Sequence, residues 1–502
     1  MIYQPLRNSW VQLGLFALLW SCSIGLMIGM TNDGQGWGDD FAAYILQAKS
    51  IVEANPEGFI KANSFTILQS YATIGPIAYP WGYPLLLAPV YLAFGANIFT
   101  LKLVAVFFYE AFIALLYWAY VRKNPSLWMW FYLGLFAFNP VMLMAGNEIL
   151  SDLPFLFFST LAIVLIDRLY RLNEGQFSAQ EWYLGVLIGL SIAIASLMRT
   201  NGLLLLLALV AAQLFRFWQL PTQFKWALKI PLLRTLMPYA LFFILTYLAG
   251  RYFPQGGESH LSELRGISLS QTWGTLKYNL GLLGGFFLPP WGFALYCLSI
   301  PLFILGVFIK ARQNLPLFIY ALLTLILYSI WPFRQGIRFL YPLLPLYFVF
   351  VVWGIIKVAE TTKNWPNWKW TTAVLYLGFF GINIQFFVTS YFLAIGNISL
   401  QGPVLAGPFG LPAKEMYTFL KQETQASDVI VFRKPRAMRL MTDRSSLVLK
   451  DAKALKPGQY LVLDDEGESK VLLEALRKGA VTGEKIFQNT QFEVYRIERE
   501  LP

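Results

Sequence analysis

Long apolar runs separated by short polar breaks extend from Trp10 to Ala394. Most approach the ~20 residues that a bilayer-crossing helix needs. They fall near 9–30, 98–121, 126–146, 152–170, 182–198, 202–219, 235–250, 281–309, 314–332, 338–357 and 370–394, which predicts about 11 spans. A further run at 81–96 is different. Its core, Trp81–Gly95, would be about 22 Å long as a helix, short of a ~30 Å hydrocarbon core. It also carries Pro84 and Pro89, which interrupt helix hydrogen bonding. This run is expected to lie at the membrane interface. Near residue 400 the pattern changes: Gly402, Pro403, Gly407, Pro408, Gly410 and Pro412 mark a linker. Short β-type runs follow at Val429–Phe432, Tyr460–Leu463 and Phe492–Ile497, with helical patterns around 413–424 and 467–478. The expectation is a mainly α protein, a polytopic membrane helix bundle over 1–399. Its first outer loop, 31–97, carries interfacial helices, and a small α/β domain occupies 400–502.

Composition supports the membrane reading. The chain is 57% hydrophobic and 13% charged, against roughly a quarter charged in soluble domains. The net charge of +11 does not call for nucleic acid, because the bases concentrate in short loops between runs. With Arg7 in the cytoplasm, 11 spans place Arg122/Lys123, Arg168/Arg171, Arg216/Lys225/Lys229/Arg234, Lys310/Arg312 and Lys357/Lys363/Lys369 on the same side. That is the charge bias of cytoplasmic loops, and counting 81–96 as a span would reverse most of it. The opposite face then holds 31–97, 147–151, 199–201, 251–280, 333–337 and the tail. Ser21–Ser23 lie inside the first run rather than at its end, so that run is expected to remain as a span. Cys22 and Cys297 sit in apolar runs and imply no disulfide framework. A single histidine, His260, excludes a multi-histidine metal site.

Acid is scarce in the membrane part: 14 of the 28 Asp and Glu residues lie in 1–399. Five of them, Asp33, Asp39, Asp40, Glu53 and Glu57, crowd into one stretch of 25 residues just after the first span. A carboxylate beside a bilayer is costly unless something pairs or uses it. In Gly38-Asp39-Asp40-Phe41-Ala42-Ala43-Tyr44, helical spacing puts Tyr44, Ala48 and Ile51 on one face and the aspartates at the helix start. Capping accounts for one aspartate there, less readily for an adjacent pair. Glu148 and Asp152 stand four apart between two spans; if helical, both point the same way. Asp152 alternatively starts the next helix, with Pro154 in its first turn. Arg199, Arg334 and Arg338 sit at outer edges, against the charge bias, and a fork-shaped cation suits a phosphate. Glu110 is mid-span, where a structural, hydrogen-bonded role is expected. His260 and Glu258 share an outer loop. In the tail, Arg433, Lys434, Arg436, Arg439 and Arg444 form a basic stretch, read as either a solvated face or a lipid-phosphate contact.

Four stretches carry a family resemblance: Asp39–Ala48, Tyr79-Pro80-Trp81-Gly82-Tyr83-Pro84-Leu85, Glu148–Pro154 and Arg338–Pro345. In this order and spacing the chain resembles the GT-C class of polyprenyl-phosphate-sugar-dependent glycosyltransferases. Within that class it is similar to aminoarabinose lipid A transferases and protein O-mannosyltransferases. The resemblance implies a first-loop acid as catalytic base, at Asp40, four positions before Tyr44. The family often has Asp-Glu there, whereas here Phe41 follows Asp40 and the second acid, Asp39, precedes it. The family's second-loop acid matches Asp152, with Glu148 beside it. The implied activity is transfer of a sugar from a polyprenyl-phosphate donor to a hydroxyl or amine of a lipid, glycan or protein, by direct displacement. The setting is the outer face of a bacterial inner membrane, with the tail outside the cytoplasm. Lipid-phosphate contacts are expected from Arg199, Arg334 and Arg338, and substrate contacts from Tyr44, Tyr79, Tyr83 and His260. The activated donor needs no nucleotide site, and metal dependence stays open: a divalent ion, if bound, would use Asp39, Asp40 and Asp152 and could supply positive charge to the leaving phosphate. The competing reading is a lipid-linked sugar flippase or secondary transporter, which expects polar residues and broken helices at mid-membrane.

Overall fold

A computed structural model describes residues 8–71, 74–172, 179–219, 229–254, 256, 267–364, 366, 368–399, 404, 406–479 and 481–499. Backbone in hydrocarbon must hydrogen-bond to itself, so the apolar runs become helices. In chain order the first are α1 (Ser9–Met30), α2 (Asp40–Val52), α3 (Pro56–Leu68), α4 (Gly82–Phe94) and α5 (Ile98–Leu116). Next come α6 (Leu127–Ala137), α7 (Pro140–Met144), α8 (Asp152–Tyr170), α9 (Ala179–Met198), α10 (Leu204–Gln219) and α11 (Lys229–Tyr252). The bundle closes with α12 (Leu269–Leu283), α13 (Gly292–Lys310), α14 (Leu315–Ile330), α15 (Leu344–Thr361) and α16 (Trp368–Ser399). Asparagine side chains start several of them: Asn8, Asn55, Asn97 and Asn139 each accept a backbone N–H of the turn they open.

Nine helices among the described residues are long and apolar enough to cross a bilayer, so this is a multi-pass membrane protein. Large outward side chains such as Phe107, Phe243, Phe308 and Leu377 stay more than half exposed, a surface suited to lipid rather than water. The helices differ from the expected spans in four places. The run 281–309 is not one helix: the chain leaves α12 at Leu283, passes Gly284-Gly285 and Pro289-Pro290, and restarts at Gly292. The run 126–146 breaks at Asn139-Pro140, where Asn139 accepts from the N–H groups of Val141 and Met142 and donates to the Phe286 carbonyl at 2.9 Å. The run 314–332 yields the shorter α14, and 235–250 falls inside α11, which contains Pro238. As expected, α4 has only 13 residues.

The tail builds α17 (Leu411–Glu423), β1 (Val429–Val431), α18 (Pro435–Thr442), β2 (Ser445–Leu447), β3 (Tyr460–Leu463), α19 (Glu468–Arg477), β4 (Thr482–Gln488) and β5 (Glu493–Arg499). The sheet order is β2-β1-β3-β5-β4, with β1 parallel to β2 and β3, and β5 antiparallel to β3 and β4. Alternation along β3 explains its two-sided burial. Tyr460 and Val462 pack with α17 residues Met416 and Leu420, whereas Leu461 and Leu463 pack with Leu472 of α19. The expected α/β pattern holds; α18, β2 and β4 were not visible as separate elements in the sequence.

Two helices, α13 and α15, approach each other closely at paired glycines. A Cβ added at Gly306 would run into the Phe350 carbonyl, and one at Gly354 into the Leu302 carbonyl. Small residues let backbones approach where no hydrophobic gain separates protein from lipid. Gly306→Val is expected to destabilise the protein by ~1–3 kcal/mol through forced separation. Gly378→Ala, with open space around it, should cost nothing. Thermal unfolding of both variants in detergent checks the pair.

Candidate active site

Asp39 and Asp40 are adjacent but do different things. α2 begins at Asp40, and the Asp39 side chain makes no capping bond to its own helix. Instead Asp39 Oδ1 accepts the N–H of Ala437 in α18 at 3.3 Å, and Oδ2 faces Arg436 Nε at 3.8 Å. It therefore sits at the start of a helix supplied by the tail, where negative charge is favoured. Burial pushes its carboxyl above the ordinary value, against the opposing pull of Arg436 and the Ala437 N–H. Asp40 is the open member of the pair, its side chain one-third exposed. Tyr79 donates its hydroxyl to Asp40 Oδ1 at 2.6 Å, and Arg338 faces Oδ2 at 3.6 Å. Burial, then the Asp40 charge, pushes the Tyr79 hydroxyl well above its usual range, so Tyr79 keeps the proton it donates.

Tyr79 is held by its backbone. Gln47 on α2 donates to the Tyr79 carbonyl at 2.9 Å and accepts its N–H at 3.1 Å. The rest of the Tyr79–Leu85 motif is structural. Trp81 donates to the Pro254 carbonyl at 2.9 Å, and Gly82 lets α4 approach the backbone of Leu197 and Met198 at the end of α9. Tyr83 is fully buried and packs edge-on against Tyr44 at 5.0 Å. Tyr44 lies between the two acidic positions: its ring packs on Tyr79 at 4.7 Å, and its hydroxyl pairs with Ser151 at 2.9 Å.

Next to Ser151, Asp152 opens α8 and pairs with Arg199. Arg199 also lies over Phe339 at 5.0 Å, one residue from Arg338. The first loop, the α7–α8 connection, the α9 terminus and the 3-10 helix Gly336–Leu343 thus converge at one end of the bundle. Glu148 does not share a helical face with Asp152. Its backbone is extended, and its carboxylate accepts from Gln35 of the first loop. Arg334 is exposed and lies over Tyr278 at 4.8 Å, on α12 rather than at the aspartates. His260 and Glu258 fall outside the described residues. Glu110 accepts from Ser23 at 2.9 Å, the structural role expected.

The basic tail residues form neither a solvated face nor a free phosphate site. Arg433 pairs with Asp464 at 2.6 Å and Glu466 at 2.8 Å; Arg444 donates to the Thr424 carbonyl at 2.9 Å. Arg436 and Arg439 are buried against the first loop, and Lys434 is half-buried. Short helix α18 carries them inward, a contact that sequence spacing did not reveal. A resident divalent ion does not fit the three aspartates named for it. Each faces a different arginine (Arg436, Arg338 and Arg199), and no group of three or more His, Cys, Asp or Glu among the described residues is placed to hold a metal.

One residue escaped the sequence reading. Lys102, fully buried on α5, donates to the Asn32 carbonyl at 3.0 Å, to Asn147 Oδ1 at 2.7 Å and to the Gly34 carbonyl. It ties the first loop to the connection that carries Glu148 and Asp152. The signal was there, since a lysine five residues into an apolar run is rare without a partner.

Residues 78–251 match the family model described as dolichyl-phosphate-mannose-protein mannosyltransferase. No curated protein matches the sequence. ArnT from Cupriavidus metallidurans in the apo state is similar over 96% of this chain and 98% of that one, with a TM-score of 0.60 at 13% identity. The same protein bound to undecaprenyl phosphate is similar over 97% and 98%, with a TM-score of 0.60 at 14% identity. The Archaeoglobus fulgidus oligosaccharyltransferase, in complex with Zn and sulfate, is similar over 96% of this chain and 73% of that one, with a TM-score of 0.53 at 12% identity. The resemblance to the GT-C class is borne out by both family model and fold.

Lys102→Met would leave the partly buried Asn32 and Gly34 carbonyls without this donor, at ~1–3 kcal/mol each where no water replaces it, while Asn147 Oδ1 keeps the Asn32 N–H at 3.0 Å. The variant is expected to unfold at lower temperature and to exchange amide hydrogens faster over 32–38. Unchanged exchange there would show that Lys102 does not hold the loop.

Proposed function

We propose that this chain, a multi-pass membrane protein of the GT-C fold and a glycosyltransferase of that class, moves a sugar from a polyprenyl-phosphate donor to an acceptor hydroxyl or amine. The single observation that carries the mechanism is the group Tyr79–Asp40–Arg338. A partly exposed carboxylate and a partly exposed guanidinium stand 3.6 Å apart at one end of the bundle. Displacement at an anomeric carbon wants both side by side: a base for the incoming nucleophile and a cation for the leaving phosphate.

In the proposed step the acceptor's oxygen or nitrogen attacks C1 of the sugar, and its proton passes to Asp40. The C1–O bond to the lipid phosphate breaks, and that oxygen leaves with the electron pair. Negative charge near C1 favours the oxocarbenium-like transition state, as in glycoside hydrolysis. Arg338, and Arg199 beside it, receive the phosphate. Because phosphate and Asp40 compete for Arg338, donor arrival frees the carboxylate for the acceptor. Tyr79 keeps one carboxylate oxygen fixed, leaving the other to accept the proton. Tyr44, between the two acidic positions, orients both through Tyr79 and Ser151. The match of 78–251 to a lipid-phosphate-mannose transferase model supports the donor class, as does the similarity to a protein solved with undecaprenyl phosphate.

The setting is the outer face of a bacterial inner membrane, with the tail on that side. Support comes from charge: Arg122, Arg171, Arg216 and Lys357 follow or occupy the ends of α5, α8, α10 and α15 that lead away from the aspartates. Cytoplasmic loops concentrate such bases.

Asp40→Asn is expected to insert and unfold like the parent while transfer falls at least ~100-fold. The assay supplies polyprenyl-phosphate sugars and follows products by mass. Near-normal turnover would refute the base. Arg338→Gln is expected to weaken binding of undecaprenyl phosphate about ten-fold, from the loss of one charge-assisted contact; unchanged affinity would assign the phosphate elsewhere.

A further inference from the structure

The tail reaches into the loop that holds Asp40. Arg436 on α18 is fully buried, among the largest such side chains in the protein. It donates to the Pro76 carbonyl, lies over the Tyr79 ring at 5.6 Å and faces Asp39 at 3.8 Å. Gly75, with φ of +127°, passes so close that a Cβ there would sit 3.1 Å from Arg436 Nη1. Residues 74–80 form no helix or strand, so their polar backbone needs partners from elsewhere. The Ile77 carbonyl takes Asn63 and the Tyr79 carbonyl takes Gln47, both within the first loop. The Pro76 carbonyl takes Arg436, which comes from the far end of the chain. Arg439, one turn on, backs Asn63 at 3.5 Å and lies over Phe59 at 5.5 Å.

We infer that Arg436 is a positioning residue for Asp40, so that the tail completes the active site rather than being attached to it. The inference rests on the reading above, in which Asp40 is the base. The route is short: Arg436 fixes the backbone at Pro76 and the ring of Tyr79, and the Tyr79 hydroxyl fixes Asp40 Oδ1. Other contacts keep the tail docked without it. Lys49 pairs with Asp443 at 2.8 Å, Tyr71 donates to Glu468 at 2.7 Å, and the Tyr71 N–H bonds to the Val448 carbonyl at 3.1 Å. Loss of Arg436 should therefore disturb the aim of Tyr79 without releasing the domain.

Removing Arg436 alone would strand the buried Asp39, so the test pairs Arg436→Gln with Asp39→Asn, which removes both charges and keeps similar shapes. Full-length protein in detergent is compared with Tyr79→Phe, with the triple variant and with Asp40→Asn. In the Asp39→Asn/Arg436→Gln protein, amide exchange should rise over 74–81 but stay at parent level over 443–448. Undecaprenyl phosphate should bind with unchanged affinity. The transfer kcat should fall about ten-fold, the scale of one hydrogen bond to a charged group, with the acceptor KM little changed. Tyr79→Phe should lower kcat similarly, and the triple variant should be no worse than either, because both act through one contact. Multiplying losses would overturn the route through Tyr79. An active Asp39→Asn/Arg436→Gln protein beside an inactive Asp40→Asn protein would overturn this inference alone. Turnover by Asp40→Asn would overturn the base and the inference together.

Discussion

Acid at the edge of a bilayer is costly unless a partner answers it, and pairing with arginine organises this end of the molecule. Asp39 faces Arg436, Asp40 faces Arg338 and Asp152 pairs with Arg199. Each arginine comes from a different part of the chain: the tail, the segment before α15 and the end of α9. The three pairs therefore draw distant segments to one place. Burial sorts them by use. Asp39 is closed off beneath α18, Asp152 is buried at the start of α8, and Asp40 keeps access to solvent. The proposed chemistry rests on the pair that folding leaves open.

Around those pairs, loop backbone is satisfied by side chains rather than by a ladder. Lys102 gathers the carbonyls after α1, Gln47 brackets Tyr79, and Asn63 and Arg436 take the carbonyls before it. A site assembled from irregular segments needs this kind of support to hold side chains to sub-ångström positions. It also makes the two parts of the chain interdependent, because one of the supports belongs to the tail.

Much of the fold was legible in the sequence because hydrocarbon leaves the backbone few options. Seven of the expected spans coincide closely with long helices, and 81–96 is as short as its prolines implied. The breaks at Asn139-Pro140 and Gly284–Pro290 were missed because apolar periodicity cannot register a turn whose polar groups bond to neighbouring helices. Asn139 reaches Phe286 across 147 positions of sequence. In the tail, three short strands and two helices were visible from alternation, while α18 was hidden inside a run of arginines that looked like a charged surface.

Sequence by itself determined a membrane helix bundle, an appended α/β unit and the acidic neighbourhood where chemistry is proposed. These follow from local properties: hydropathy, turn residues and the rarity of charge. Only the tertiary structure decided which of Asp39 and Asp40 is covered, that Glu148 and Asp152 diverge, and that Arg334 stands apart from Arg338. It also turned Arg436 from a surface cation into a buried partner of the first loop. Those outcomes depend on contacts between segments 47 to 398 positions apart, and no local pattern encodes which cation will meet which acid.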